Sequence, residues 1–178
     1  MFIDESGFYL LPLLVRTFAP IGQTPIVQTP LKWEHLSVIG AVTAEGRVFF
    51  QIYDHAIKGP DLVRFLRHLL RHISGKLLVV WDGLPAHRSK LIRQFLQQGG
   101  TKRVQLVQLP AYAPDLNPAE GIWNYLKRVE LKNDCCHNLT ELRRELRKAM
   151  ERLRHKVPVL RACVQQPGIY FNSLCPDQ

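Results

Sequence analysis

The sequence predicts an α/β domain built on a mixed five-stranded sheet with an early antiparallel hairpin and flanking helices. Three observations carry this. Residues 36–44 and 47–53 are β-branched, aromatic or small and are joined by Ala44, Glu45 and Gly46, which is a hairpin signature. Residues 77–81 form a continuous apolar run of strand length directly after a helix-periodic segment, the mark of a central strand buried on both faces. Helix-periodic segments then recur down the chain, and strands alternating with helices imply parallel pairing.

Taken in order, Met1, Phe2 and Ile3 read as the tail of a strand that delivers Asp4 and Glu5 to its end. Residues 18–29 contain Pro20, Gly22 and Pro25 and predict a loop, with an edge strand at 26–28. Gly59 and Pro60 open a helix in which Leu62, Phe65, Leu66, Leu69, Leu70 and Ile73 share one face, with Arg64, Arg67, His68 and Arg71 between them; Gly75 ends it. The central strand stops at Asp82, and open α/β sheets bind ligands at the C-terminal ends of their strands. Leu91, Ile92, Phe95 and Leu96 predict the next helix, up to Gly99 and Gly100, and residues 104–109 a further strand. Residues 138–154 form an amphipathic helix with Leu142, Leu146, Met150 and Leu153 on one side and six basic residues largely on the other, and Glu141 helps to cap it. From Pro158 no periodicity is evident, so 1–157 is read as the folded domain and 158–178 as a loosely packed tail.

At 178 residues and 46% hydrophobic the chain supports one domain with a sizeable core. Its net charge of +9 favours a polyanionic partner, because Lys and Arg gain affinity by displacing counterions from phosphates. Cys135, Cys136, Cys163 and Cys175 have no CxxC spacing, which argues against a zinc site and against a secreted disulfide framework. A reducing, cytoplasmic, nucleoid-associated location fits. No apolar run approaches the roughly 20 residues of a membrane span, so no membrane role is expected.

The chain is organised around residues 109–127. Pro110, Pro114 and Pro118 stiffen a loop, Asn117 is a good N-cap, Pro118 suits the first helical position and Glu120 falls three residues after the cap. Ile122, Trp123, Leu126 and Val129 then recur at helical spacing, with Trp123 read as core. Two readings of Glu120 stand. It either completes a capping box with Asn117 or is held in the first turn to bind a metal ion. The second needs partner carboxylates, and Asp4 and Asp82 stand at comparable strand ends. Hard oxygen donors without His or Cys spacing suit Mg²⁺ or Mn²⁺, and two such ions roughly 3.5–4 Å apart can activate a water or 3′-hydroxyl and stabilise a leaving oxygen in phosphodiester chemistry.

The segments FIDESGFYLL, APIGQTP, VVWDGLPAHRSK and above all LPAYAPDLNPAEGIWNYLK resemble the catalytic domain of bacterial insertion-sequence transposases of the mariner superfamily, the DDE endonucleases. The resemblance covers nearly the whole chain. It implies an RNase H-like fold, two Mg²⁺ or Mn²⁺ ions, cleavage at transposon ends and strand transfer into target DNA at TA, with Asp4, Asp82 and Glu120 as catalytic and metal-binding carboxylates. The short interval between the last two, residues 83–119, is similar to that of the superfamily. Glu5 is a weaker candidate because adjacent strand residues point to opposite faces, and Asp115 reads as a turn residue. His87, Arg88 and Lys90, in the loop after Asp82, are candidate DNA contacts. Such enzymes act as homodimers and carry an N-terminal helix-turn-helix region that reads the terminal repeats; none is found here and the first strand looks truncated. The chain is therefore expected to be either a second reading frame that works with a helix-turn-helix first-frame product or a relic, and to bind DNA weakly, without sequence preference and with steep salt dependence. Two further readings stand beside the transposase: a non-catalytic DNA-binding or assembly remnant, and an RNase H-like nuclease without strand transfer.

Overall fold

In the computed structural model the described residues are 1–11, 13–23, 26, 32–99, 102–110 and 113–165. Five strands, β1 (Phe2–Tyr9), β2 (His35–Val42), β3 (Val48–Tyr53), β4 (Leu77–Trp81) and β5 (Val104–Gln108), form one sheet in the order β3-β2-β1-β4-β5. β1, β2 and β3 pair antiparallel, whereas β1–β4 and β4–β5 are parallel. This is the mixed sheet that the RNase H-like expectation requires. The β2–β3 turn closes through Gly46 N–H donating to Thr43 O at 3.0 Å, with Gly46 at φ 84°, a value that favours glycine.

Helices α1 (Gly59–His72) and α2 (Lys90–Gln97) cover one face, and α3 (Pro118–Tyr125), α4 (Leu139–Arg154) and α5 (Val157–Gln165) the other. Alternation along β1 divides its side chains between two cores. Phe2 and Phe8 join Trp123, Leu126, Leu146 and Leu153, while Ile3 joins Phe65, Leu66, Leu69 and Ile92. Each fully buried Leu or Phe of these layers contributes about 1.5–3 kcal/mol relative to exposure. α1 starts where the Lys58 N–H donates to the Asp61 carboxylate at 3.1 Å.

Four expectations are corrected. β1 does not end at Asp4 but runs on to Tyr9, because β2 pairs with it along its full length and stabilises Ser6 and Gly7 in the strand. β4 is not buried on both faces: Leu78 is 50% exposed, since α3, α4 and α5 stack over β1–β3 and leave that side of β4 open. Residues 158–165 are not loose. Val157–Gln165 is a helix with Leu160 and Val164 buried in the same core as Trp123, and Pro158 sits in its first turn, where a missing N–H is harmless. Val129 does not continue the α3 stripe and is 48% exposed. Leu126–Glu130 is a π-helical turn closed by the Leu131 N–H on Leu126 O at 2.9 Å, which advances the register and buries Leu131 instead. Most of the expected edge strand at 26–28 and residues 166–178, with Cys175, lie outside the described residues. Among the described residues, no helix is long and apolar enough to cross a membrane.

Candidate active site

The site lies where β1 and β4 run side by side. Phe2 is in register with Val80, so two residues further along each parallel strand Asp4 and Asp82 reach the same level. The side chain of Asp4 points to the α3 face, where it is 6% exposed, and its Oδ2 accepts a 2.8 Å hydrogen bond from Trp123 Nε1. Gly40, the β2 partner of Asp4, makes this possible. A Cβ there would lie 2.4 Å from Trp123 Cη2, so only glycine leaves room for the indole beneath the carboxylate.

Asp82 follows the last residue of β4. Its Oδ1 accepts from the Leu84 N–H at 3.0 Å, an Asx turn, and lies 2.8 Å from His87 Nδ1. His87 belongs to a 3₁₀ turn, Pro85–Arg88, and its ring stacks on Trp81 with centroids 4.3 Å apart and planes 1° from parallel. Its Nε2 lies 2.9 Å from Glu5 Oε1. Both partners are acceptors, so the ring can serve both only as the imidazolium. Burial works against that charge, but the Glu5 bond and the Asp82 groups raise its pKa above the ordinary histidine value. Glu5 points to the opposite face from Asp4, as strand alternation requires, and its Oε2 is buried without a hydrogen-bond partner among the described residues.

Glu120 is the third residue of α3. Asn117 caps that helix by accepting from the Ala119 N–H at 3.2 Å. Among the described residues no bond links the Glu120 side chain to the Asn117 N–H, so the capping-box reading does not hold. Glu120 is exposed instead, near the positive end of its helix, and lines a pocket of about 590 Å³ together with Asp4, Asp82, Arg88, Gln108 and Pro110. The three carboxylates expected from the motifs thus face one cavity.

They are not equally close to one another. Among the described residues, the group of three metal-capable side chains whose ligand atoms all lie within 4.8 Å is Glu5, Asp82 and His87. Burial, with the charges of Glu5 and Glu120 adding to it against the Trp123 bond, pushes the Asp4 carboxyl up to about 7. A cation between these groups would reverse that penalty, and an all-oxygen donor set suits a hard divalent ion.

Of the candidate DNA contacts, Arg88 is exposed on the pocket rim, its guanidinium donating to Gly83 O at 2.9 Å, and Lys90 is exposed at the start of α2. His87 is only 4% exposed with both ring nitrogens engaged, so it is an internal anchor of Asp82 rather than a surface contact. Asp115 sits exposed in a short 3₁₀ turn, Pro114–Leu116, as a turn residue should. Three participants escaped sequence reasoning: Gly40, the Trp123 indole N–H, and Lys127. The Lys127 ammonium is pushed down by burial while Glu120 and Asp4 pull it up, which places it within their field. Its spacing of seven residues from Glu120 was the one available signal.

Residues 1–143 match the family model of the DDE superfamily endonucleases. The chain belongs to that family. No curated protein sequence matches it. Solved structures with the same fold include the mariner Mos1 paired end complex with Mg, at 17% identity and a TM-score of 0.65 over 96% of this chain and 56% of that one. The Mos1 strand transfer complex matches at 17% identity and a TM-score of 0.63 with the same coverage. The isolated catalytic domain of Mos1 mariner transposase, of which 84% is covered, matches at 13% identity and a TM-score of 0.55 over 96% of this chain. The chain spans 56% of the length of the Mos1 chains in those complexes. This DDE endonuclease chain therefore shares the RNase H-like fold of a transposase catalytic domain.

Proposed function

We propose that this chain is the catalytic domain of a DDE transposase, which cleaves DNA at transposon ends and transfers the strand into target DNA, with TA as the target step. The observation that carries the reading is the pocket that Asp4, Asp82 and Glu120 line together at the C-terminal end of β4, in a chain of the DDE endonuclease family. Asp4, Asp82 and Glu120 are the catalytic carboxylates and would hold two Mg²⁺ or Mn²⁺ ions. Bound there, such ions activate the attacking oxygen and stabilise the leaving one.

The chain's own residues set the stage for that chemistry. The Trp123 indole fixes one Asp4 oxygen, and the Leu84 N–H and His87 ring fix Asp82. The rigid first turn of α3 presents Glu120 from the other side. Arg88, at the rim, is placed to hold a phosphate, with Lys90 as a second contact on the approaching backbone. The Mos1 structures of the same fold are paired end and strand transfer complexes, which supports DNA as partner; this chain would act on it as a homodimer. Recognition of terminal repeats is assigned to a helix-turn-helix product that works with this chain.

The test supplies precut transposon-end DNA, a TA-containing target and Mg²⁺ to the chain and to Asp82→Asn. Joined products from the unsubstituted chain alone are expected. Cleavage without joining would make it an RNase H-like nuclease, and DNA binding with no reaction a non-catalytic remnant.

A further inference from the structure

The sheet ends at β3, and among the described residues no strand covers its outer edge. Two clefts meet along that edge. One, of about 540 Å³, is lined by Gln51, Arg64, Arg147 and Arg154 among others, and the second, of about 420 Å³, by Gln51, Arg64, Arg67 and Arg71 among others. They share Gln51 and Arg64 and so form one trough, with arginines of α1 on one bank and of α4 on the other. Arg64, Arg67 and Arg71 recur at helical spacing on a single face of α1, and the span from Arg147 to Arg154 is about 10 Å along α4.

This charge is weakly neutralised. All five arginines are exposed. Arg154 pairs with Glu151 at 3.1 Å, and Arg64 reaches Asp61 only at 3.5 Å. Among the described residues Arg67, Arg71 and Arg147 have no carboxylate partner. His68, between the banks, has its pKa lowered first by burial and then by His72, Arg71 and Arg154, an independent sign that the two helices direct positive charge into the same space. Two other basic residues of α4 differ: Arg144 and Lys148 both bond Glu145, at 2.9 and 3.0 Å.

We propose that this trough is a second DNA seat, which grips the phosphate backbone of a duplex segment other than the one presented to the carboxylate pocket. Arg64, Arg67, Arg71, Arg147 and Arg154 would each face phosphate oxygens, so the contact is independent of base sequence. β2 lies between β3 and the two strands that carry Asp4 and Asp82, and the trough shares no lining residue with the carboxylate pocket. The seat rests on the reading of the chain as a DNA-acting enzyme, and the test separates the two.

Affinity of the full chain for a random-sequence 30-base-pair duplex is measured across a salt series by fluorescence anisotropy, for the unsubstituted chain, for the triple variant Arg64→Gln, Arg67→Gln, Arg147→Gln, and for the control Arg144→Gln, Lys148→Gln. The slope of log K against log salt should become shallower by about 2 to 3 in the triple variant, at about 0.9 per lost phosphate contact. The control should keep its slope, and all three proteins should keep their thermal transition and their Mn²⁺ affinity. An unchanged slope in the triple variant overturns the seat and leaves the enzyme reading standing, and the arginines then serve to keep the strand edge from pairing. Absence of DNA binding by the unsubstituted chain overturns both. A polyglutamate chain whose binding falls in the triple variant as far as that of DNA overturns the seat in favour of an acidic protein partner.

Discussion

Trp123 Nε1 donates to Asp4 Oδ2 at 2.8 Å across a separation of 119 residues, and this bond joins the first strand to the helix that carries Glu120. It supplies one of the few donors a buried carboxylate can find in an otherwise apolar layer. Trp123→Phe keeps a ring in the core but removes the donor. The expected cost is about 1–3 kcal/mol of stability by urea denaturation, the range for leaving a buried polar group unpaired. Divalent-cation affinity should fall as well, because Asp4 loses its orientation.

Gly40→Ala reaches the same bond from the other side. The new methyl group has no space next to the Trp123 ring, and the β2 backbone, paired on both sides, cannot retreat. Loss of stability by about 1–3 kcal/mol, as for overpacking, together with a shift in tryptophan fluorescence, is the expected outcome. Emission unchanged from the unsubstituted chain would contradict it.

His87→Ala should lower cation-dependent DNA cleavage by 10- to 100-fold, the usual effect of removing an outer-shell partner of a metal-binding carboxylate. His87→Asn, which can still donate one hydrogen bond towards Asp82, should recover part of the rate. An equal loss in both variants with unchanged cation affinity would assign His87 to folding alone.

Two carboxylates give the cation-free chain a pH dependence of opposite signs. The Asp4 pKa is raised from 3.8 to about 7, so its contribution to stability is complete below about pH 4 and is lost as the pH rises towards 7. Glu130 behaves in the reverse way. Burial works against its charge, but bonds of 2.7 Å each from Lys156 and Arg152 hold its pKa below 4.5, so its contribution is present above that pH and lost as the pH falls beneath it. Denaturation midpoints of the cation-free chain should therefore decline between about pH 4 and 7, and Asp4→Asn should flatten that limb while leaving the acid limb intact.

Breaking the Glu130 cluster by Glu130→Gln should cost about 1.5–3 kcal/mol, the range for hydrogen bonds to charged groups. Lys156 and Arg152 remain partly exposed and can rehydrate, which keeps the effect from being larger.

Local periodicity made much of this fold legible. The stripe from Leu62 to Ile73 and the runs 77–81 and 104–109 each point to one element type, and the structure has those elements, the last strand ending at Gln108. Long-range effects were out of reach. A linear reading ends β1 at its acids, and only pairing with β2 shows the strand running on to Tyr9. Asp4, Asp82 and Glu120 were legible as carboxylates at the edges of elements, but nothing in a linear pattern shows that the indole of Trp123 would turn towards Asp4, or that Gly40 would yield the space. Val129 was misread for a different reason: a helical stripe assumes constant pitch, and the π-turn breaks it.

That wide turn has a bearing on how the domain can change over time. It follows α3, whose first turn presents Glu120, and its last residue, Glu130, bonds Arg152 of α4. Loss of a single residue between 126 and 130 would restore uniform pitch and bring Leu131 from five to four residues after Leu126, still on the packed face, and leave the third carboxylate where it stands. The turn can thus absorb the gain or loss of a residue without dragging the reaction centre with it.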